Sequence, residues 1–260
     1  MNTGFSVAFD RDFRQLSKSI AQMGGLVESQ VALALQSILK TDTDLAETVV
    51  KNDQRIDELD AFVNEHVLLM LGRHASLSVD LRETVAALKL SATLERIGDL
   101  AKNTARRGLA IGQIQHDQST SGLKRLGDLV QELIKDVLDA YLDRNADRAL
   151  AVWRRDHEVD SLHTGLFREV LAHMMEDPHH ITMGTHLLFI SKNLERIGDH
   201  TTSIAENVYF LVYGEVLTEN RIKSDATSDT TESDISVESR NRLSDDGSGN
   251  RDVQSFNEAS

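Results

Sequence analysis

Apolar residues recur every three or four positions along most of the chain, which is the spacing of one face of an α-helix. This pattern predicts six helices, with approximate limits at residues 10–39, 44–73, 80–111, 123–140, 146–176 and 181–217. A stretch rich in Gly, Gln and Ser at residues 112–122 separates the first three helices from the last three, and Pro178 marks the end of the fifth. The sequence therefore predicts an all-α fold.

The two halves of the chain repeat one another. The segment LERIGD occurs at Leu94–Asp99 and again at Leu194–Asp199, and NDQRIDEL at residues 52–59 corresponds to RDHEVDSL at residues 155–162. A duplicated three-helix unit accounts for this repeat. We predict two tandem, pseudo-symmetric three-helix bundles, which cover residues 1–112 and 119–217.

The remaining residues, 218–260, have a different composition. They include nine Ser, four Thr, ten acidic and five basic residues, and few apolar ones. Such a segment buries too little apolar surface to offset the entropy of ordering it. We predict a disordered, acidic, Ser-rich C-terminal tail.

Composition and charge narrow the class of protein. The chain has no Cys, which excludes disulfides and thiolate metal sites, and its net charge of −14 disfavours nucleic acid as a partner. No apolar run approaches the length of a membrane span, and the N-terminus lacks the features of a signal peptide. We therefore expect a cytoplasmic protein that does not insert into a membrane.

Each half carries two pairs of acids spaced one helical turn apart. We call the set in the first half the first carboxylate face and the set in the second half the second carboxylate face. The first face comprises Asp53, Asp57, Glu95 and Asp99; the second comprises Asp156, Asp160, Glu195 and Asp199. On a helical wheel these acids lie away from the apolar stripe, so we expect them to face solvent or a ligand.

The register of the helices supports this grouping. Helices joined by a short loop pack as antiparallel neighbours. In the first half, folding back at residue 76 puts Asp57 level with Glu95 and Asp53 level with Asp99. In the second half, folding back at residues 177–178 puts Asp160 level with Glu195 and Asp156 level with Asp199. Each face is therefore predicted to hold four carboxylates in two rows.

Four neighbouring carboxylates repel one another unless protons or cations compensate their charge. Mg²⁺, Mn²⁺, Ca²⁺ and iron are cations that prefer oxygen ligands of this kind. We therefore predict a metal site on each face, which would explain why the sequence tolerates a helix-interior glycine and like charges one turn apart in both copies. The residues predicted to support the two sites are Arg96, Gly98, Asn103, Arg196 and Gly198.

Simpler interpretations stay open beside the metal sites. The acids can form solvated surface, the two arginines can pair with neighbouring acids, and the two glycines can serve only close helix packing. His163 follows Asp160 by about one turn, and we expect it to be a surface histidine and not a ligand. Trp153 and Phe167 are predicted to be packing residues.

Two segments of the chain resemble the PhoU family of phosphate-signalling regulators. They are DLRETVAALKLSATLERIGDLAKNTA at residues 80–105 and LLFISKNLERIGDHTTSIAENVYFLVYGE at residues 187–215. The resemblance covers about residues 5–217 and implies a fold of two similar three-helix bundles. It also implies iron or zinc clusters held by the eight acids named above. The family usually has Asn four residues after the ERIGD aspartate; Asn103 fits this pattern, and Ser203 departs from it.

The resemblance implies a regulatory role. Such proteins repress the phosphate-starvation regulon when phosphate is plentiful, and they link the ATPase of the phosphate transporter to the sensor histidine kinase PhoR at the inner membrane face. We therefore expect a non-enzymatic, homodimeric adaptor with at most peripheral membrane association. The alternatives are a metal-free helical scaffold and a di-iron carboxylate oxidase, although the oxidase class needs paired Glu-x-x-His motifs in a four-helix core, and the chain lacks such a pair.

Overall fold

The computed structural model describes residues 3–73, 78–111 and 118–218, and all regular structure in these ranges is helical. The helices are α1 (Thr3–Leu39), α2 (Thr43–Arg73), α3 (Ser78–Ile111), α4 (Gln118–Leu142), α5 (Ala146–Arg154), α6 (Asp156–Glu176) and α7 (Ile181–Tyr213). A short 3₁₀ turn at Pro178–His180 connects α6 to α7. The prediction of an all-α fold is confirmed. The predicted tail lies outside the described residues except for Thr218.

One predicted helix is divided in two. We expected a single helix over residues 146–176, but this helix is interrupted at Arg155, between α5 and α6. The backbone N–H of Arg155 bonds to the carbonyl of Val152, three residues back, and the N–H of Glu158 bonds to the carbonyl of Arg155. The last turn of α5 therefore tightens, and α6 begins at Asp156.

The packing follows the sequence repeat. Helices α1, α2 and α3 pack on one another, while α4 and α5–α6 pack on α7 in the second half. The two halves meet through the pairs α3–α7 and α1–α4, and their buried apolar side chains form one continuous core. The limits predicted for the two bundles stay predictions, because residues 112–117 lie outside the described ranges.

The contact between α1 and α4 shows the pseudo-symmetry of the halves directly. A Cβ added to Gly24 would lie 2.8 Å from a methyl group of Leu138, and one added to Gly127 would lie 2.7 Å from a methyl group of Leu35. On each helix, a glycine therefore makes room for a leucine side chain of the other helix. The same type of glycine–leucine contact occurs twice because the two residues of one helix correspond to the two residues of the other in the sequence repeat.

No helix within the described ranges is long and apolar enough to cross a membrane.

Candidate functional site

The first carboxylate face lies between α2 and α3, with one contribution from α1. Asp53 is 3% exposed, and its Oδ1 accepts a hydrogen bond of 3.1 Å from Nε2 of Gln30. The Nζ of Lys102 donates to both Asp53 and Asp99 and thereby joins one acid of each helix. Asp57 is exposed, and Glu95 and Asp99 are partly exposed. The ammonium group of Lys102 thus compensates part of the charge of this face.

The carboxylates of the first face lie close enough to repel one another. Although Asp57 is exposed, partial desolvation by the neighbouring groups raises its pKa, and the charges of Asp53, Asp99 and Asp60 raise it further, against the opposing effect of Lys102. Burial likewise raises the pKa of Glu95, followed by the charges of Asp99 and Asp57. The structure therefore brings the four predicted acids of this face together, along with Asp60, which the sequence analysis missed.

Lys102 remains charged although it is partly buried. Burial alone lowers the pKa of its ammonium group, but the hydrogen bonds to Asp53 and Asp99 and the charges of these two acids outweigh it, so that the pKa is raised. Asp53 and Asp99 would therefore hold a metal ion only if the charged side chain of Lys102, which already joins them, moved away.

The second carboxylate face differs from our expectation. Asp156, Asp160 and Glu195 are only 3%, 2% and 5% exposed, and Asp53 in the first face is equally buried. Solvent, one of the two surroundings expected for all eight acids, was therefore the wrong one for these four. The helical wheel places them away from the apolar stripe correctly, but neighbouring helices cover that side as well.

Polar side chains hold the buried acids of the second face. Oγ1 of Thr202 donates to Oδ1 of Asp156 at 3.0 Å, and Nζ of Lys192 lies 3.0 Å from Oε1 of Glu195. Thr202 occupies the position that corresponds to Lys102, so a neutral hydroxyl here replaces the ammonium group of the first face. The two faces are thus related by the repeat, but their ammonium groups come from different positions, Lys102 on the first face and Lys192 on the second.

The expectation for His163 was also wrong. Its side chain is 1% exposed, and its Nδ1 lies 2.7 Å from Oγ of Ser191. The corresponding pair in the first half is Asp60 and Ser91, in which the Ser91 hydroxyl donates to the carboxylate. An imidazole therefore takes the place of a fifth carboxylate beside the second face. Trp153 is buried as expected, and its Nε1 donates to Oε1 of Glu206 at 3.1 Å.

The two glycines of the repeated LERIGD segment serve close packing between helices. A Cβ added to Gly98 would lie 3.0 Å from Cδ1 of Ile56, and one added to Gly198 would lie 2.9 Å from Cγ1 of Val159. The side chains that approach them thus come from α2 and α6, which carry the other acids of each face. The glycines bring the two acid-bearing helices of each half close together.

Substituting these two glycines tests this packing. Ala is favoured over Gly in a helix by about 1 kcal/mol, and Cδ1 of Ile56 is the end of a flexible chain, so Gly98→Ala should leave stability unchanged or raise it slightly. Val159 is stiff because it branches at Cβ, so Gly198→Ala should destabilise the protein by about 1–2 kcal/mol. Urea unfolding measures both, and adding Val159→Ala to Gly198→Ala should relieve the clash. Equal effects of the two glycine substitutions would contradict this explanation.

The remaining support residues form no hydrogen bond or ion pair with the eight acids in the described ranges. Arg96, Asn103 and Arg196 are exposed. Arg96 and Arg196 instead lie near His200, whose pKa their charges help to lower. Their role as supports of a metal site stays a prediction.

The donor chemistry of the faces suits a hard cation, because carboxylate oxygens dominate and repel one another on the first face. As the side chains stand, however, no group of three or more His, Asp or Glu residues in the described ranges is arranged to hold a metal ion. Metal binding would therefore require these side chains to reorient, and on the first face it would require Lys102 to move away.

The repulsion on the first face predicts a pH dependence of stability. Because the native state raises the pKa values of Asp57 and Glu95 above their ordinary values of 3.8 and 4.5, it holds these protons more tightly than the unfolded state does. The free energy of unfolding then falls as pH rises through the window from these ordinary values to the raised ones. At neutral pH the repulsion is fully present.

The double variant Asp57→Asn/Glu95→Gln should remove this effect. In the metal-free protein at pH 7 we expect its melting temperature to rise by roughly 1–3 °C over the wild type, since both groups are partly solvated. The gain should shrink as pH falls and vanish near pH 4. Thermal melts between pH 4 and 7.5 measure it, with Glu58→Gln/Glu65→Gln as a control that removes two exposed charges from α2. A pH-independent gain, or the same gain in the control, would show that the repulsion is unimportant.

Comparisons with known proteins add independent information. The family model described as the PhoU domain matches the chain twice, at residues 20–108 and 123–208. The chain is 44% identical to the "Phosphate-specific transport system accessory protein PhoU homolog" of Caulobacter vibrioides (strain NA1000 / CB15N), over 85% of this chain and 96% of the relative. Each family match covers one half of the repeat.

Solved structures agree with this result. The crystal structure of PhoU from Pseudomonas aeruginosa superposes with a TM-score of 0.77 at 33% identity, and the match covers 80% of this chain and all of the other. The phosphate transport system regulatory protein PhoU from Streptococcus pneumoniae superposes with a TM-score of 0.72 at 26% identity, over 81% of this chain and all of the other. The fold described above is therefore that of these two proteins.

Proposed function

The chain belongs to the PhoU domain family, and from this premise we propose that it is an accessory regulator of phosphate transport that represses phosphate-starvation genes when phosphate is abundant. The observation that carries the proposal is the double family match, which spans both bundles and extends over nearly the full length of relatives named as phosphate transport accessory proteins. The doubled LERIGD segment and the acids packed around it lie within these matches.

We further propose that the protein is an adaptor and not an enzyme. In this role it contacts the ATPase of the phosphate transporter and the sensor kinase PhoR, on the cytoplasmic side of the membrane, as a homodimer. The relatives are named as accessory or regulatory proteins, which favours this role over the di-iron oxidase. The buried acids also lie at the α2–α3 and α6–α7 interfaces of separate three-helix units, whereas the oxidase class builds one site in a four-helix core.

The two carboxylate faces are proposed to hold the metal ions of this adaptor. Asp53, Asp57, Glu95 and Asp99 would hold metal on the first face, and the corresponding four acids would hold it on the second. A bound cation supplies positive charge that relieves the repulsion among these carboxylates and ties the two helices of each pair together. Iron or zinc is the metal that the resemblance implies, while Mg²⁺ and Mn²⁺ also suit the oxygen ligands. A metal-free scaffold is the alternative, and metal analysis of the purified protein distinguishes the two.

Deleting the gene tests the regulatory role. In the deletion strain we expect alkaline phosphatase and other phosphate-starvation products to be made although phosphate is abundant. Alkaline phosphatase activity in high-phosphate medium measures this, and a plasmid copy of the wild-type gene should restore repression. Normal repression in a strain from which every copy of the gene is deleted would reject the proposed function.

A further inference from the structure

Helices α3 and α7 pack against each other in antiparallel directions, and this contact joins the two halves. We call it the seam. Nδ2 of Asn193 donates to Oγ1 of Thr104 at 3.3 Å, and the guanidinium of Arg107 lies 4.0 Å from the centroid of the Phe189 ring. On α3, Arg96 lies eleven residues before Arg107, and on α7, His200 lies eleven residues after Phe189. Because the two helices are antiparallel, both steps lead in the same direction along the seam. Arg96 and His200 therefore lie opposite each other across the seam.

Arg196 belongs to the same group, since it lies one helical turn before His200 on α7. The register set by these contacts puts the middle of the seam at Gly98 and Gly198, and Arg96 and Arg196 each lie two residues from it. Helices α1 and α4 pack against α3 and α7 respectively and against each other, yet Arg96 and Arg196 are exposed and His200 is only partly buried. The group therefore lies on the open side of the seam.

Positive charge predominates in this group, in which Asp199 is the acid whose charge acts on His200. Neither Arg96 nor Arg196 forms an ion pair within residues 3–73, 78–111 and 118–218. Burial lowers the pKa of His200, and the charges of Arg96 and Arg196 lower it further, with only Asp199 acting in the opposite direction. Two guanidinium groups and an imidazole thus converge in a protein whose net charge is −14.

We propose that Arg96, Arg196 and His200 form a binding site for a tetrahedral oxyanion, with inorganic phosphate as the ligand. Guanidinium groups donate two parallel hydrogen bonds to the oxygens of phosphate, and two of them on opposite sides enclose such an anion. The imidazole N–H of His200 adds a third donor. The choice of phosphate among oxyanions rests on the proposed function, whereas the site itself rests on the three side chains.

The position of the site gives it a regulatory consequence. An anion held by Arg96 on one bundle and by Arg196 and His200 on the other stabilises the contact between the halves. The ERIGD segments contain the two arginines and also the Glu and Asp of the carboxylate faces, so the anion site and the faces share the same turns of α3 and α7. Phosphate would thus act at the point where the two halves meet.

Isothermal titration calorimetry of the metal-free protein with inorganic phosphate, in a phosphate-free buffer near 0.15 M salt, tests the site. We expect saturable binding to the wild type and a loss of about tenfold or more in affinity for Arg96→Gln and for Arg196→Gln, since each removes a charge-assisted pair. Arg96→Lys should retain part of the affinity. Arg106→Gln is the matched control, because it removes the same charge from an exposed position of the same helix, α3. Arg106 lies roughly 15 Å along the helix from Arg96, which is beyond the screening length at this salt concentration. This variant should bind phosphate like the wild type.

The imidazole resonances of His200 provide a second measurement in the same samples. Phosphate should shift them in the wild type and in Arg106→Gln, and about tenfold more phosphate should be needed for the same shift in Arg96→Gln. Absence of phosphate binding to the wild type, equal affinity in all variants, or binding of an acidic peptide but not of phosphate would overturn the site. These results concern the purified protein, so they leave the deletion phenotype as a separate test of the proposed function.

Discussion

Replacing Glu195 and Asp199 with Ala is expected to remove the bound metal from the second carboxylate face while the first face stays loaded. Glu95→Ala/Asp99→Ala should do the reverse. Each double variant deletes the α7 or α3 half of the ligands, and the two acids left on α6 or α2 are too few to hold the ion. Mass-spectrometric metal analysis after loading with Mn²⁺ or Zn²⁺ and desalting measures the stoichiometry of each protein. Each double variant should lose the metal of one face only.

Stability should change in opposite ways with and without metal. In the loaded protein each double variant loses the contribution of its metal, which is about 2.7 kcal/mol when the free metal concentration is a hundred times Kd. Without metal, Glu95→Ala/Asp99→Ala should be nearly neutral, because the gain from reduced repulsion offsets the lost contact between Lys102 and Asp99. Glu195→Ala/Asp199→Ala should cost about 1–3 kcal/mol even without metal, because Glu195 is buried beside Lys192.

Thermal melts of the wild type and the two variants, each with and without metal, measure these differences. Equal metal content and equal melting temperatures in all forms would show that the faces are only acidic surface. A loss of metal from both faces in either double variant would show instead that the two faces form one coupled site.

The helices could be predicted from the sequence because the periodicity of apolar residues is strong in long helices. The pairing of acids across α2–α3 could also be predicted, since it needs only the helix period and a short connection. The break at Arg155 could not, because neither Gly nor Pro occurs there and the apolar spacing continues from Val152 to Val159. The interruption lies in the backbone hydrogen bonds around Arg155, which the pattern of side chains does not specify.

The surroundings of the acids were harder to predict than their positions. A helical wheel gives the direction of a side chain but not what lies in that direction, so the burial of Asp156, Asp160 and Glu195 was missed. Gln30, which binds Asp53, comes from α1, and its counterpart in the repeat is Leu133, so no repeated pattern pointed to it. Lys102 follows Asp99 by three residues, and this spacing is the one signal that could have placed an ammonium group on the first face.

The second large effect is expected in vivo. If regulation depends on the carboxylate faces, a protein that lacks them should fold but fail to repress the phosphate-starvation genes. The variant Glu95→Ala/Asp99→Ala suits this test, because it removes two ligands from the first face at little expected cost to the metal-free fold. Glu58→Gln/Glu65→Gln removes as many charges from exposed positions of α2 and should repress like the wild type. Western blots establish that all proteins are present in equal amounts.

Alkaline phosphatase activity in a high-phosphate culture of the deletion strain, complemented with each of these genes, tests the central claim most directly. The wild-type gene and the control variant should keep the activity low, while Glu95→Ala/Asp99→Ala should leave it as high as in the uncomplemented strain. Full repression by the Glu95→Ala/Asp99→Ala protein would contradict the claim that the first carboxylate face carries the regulatory function.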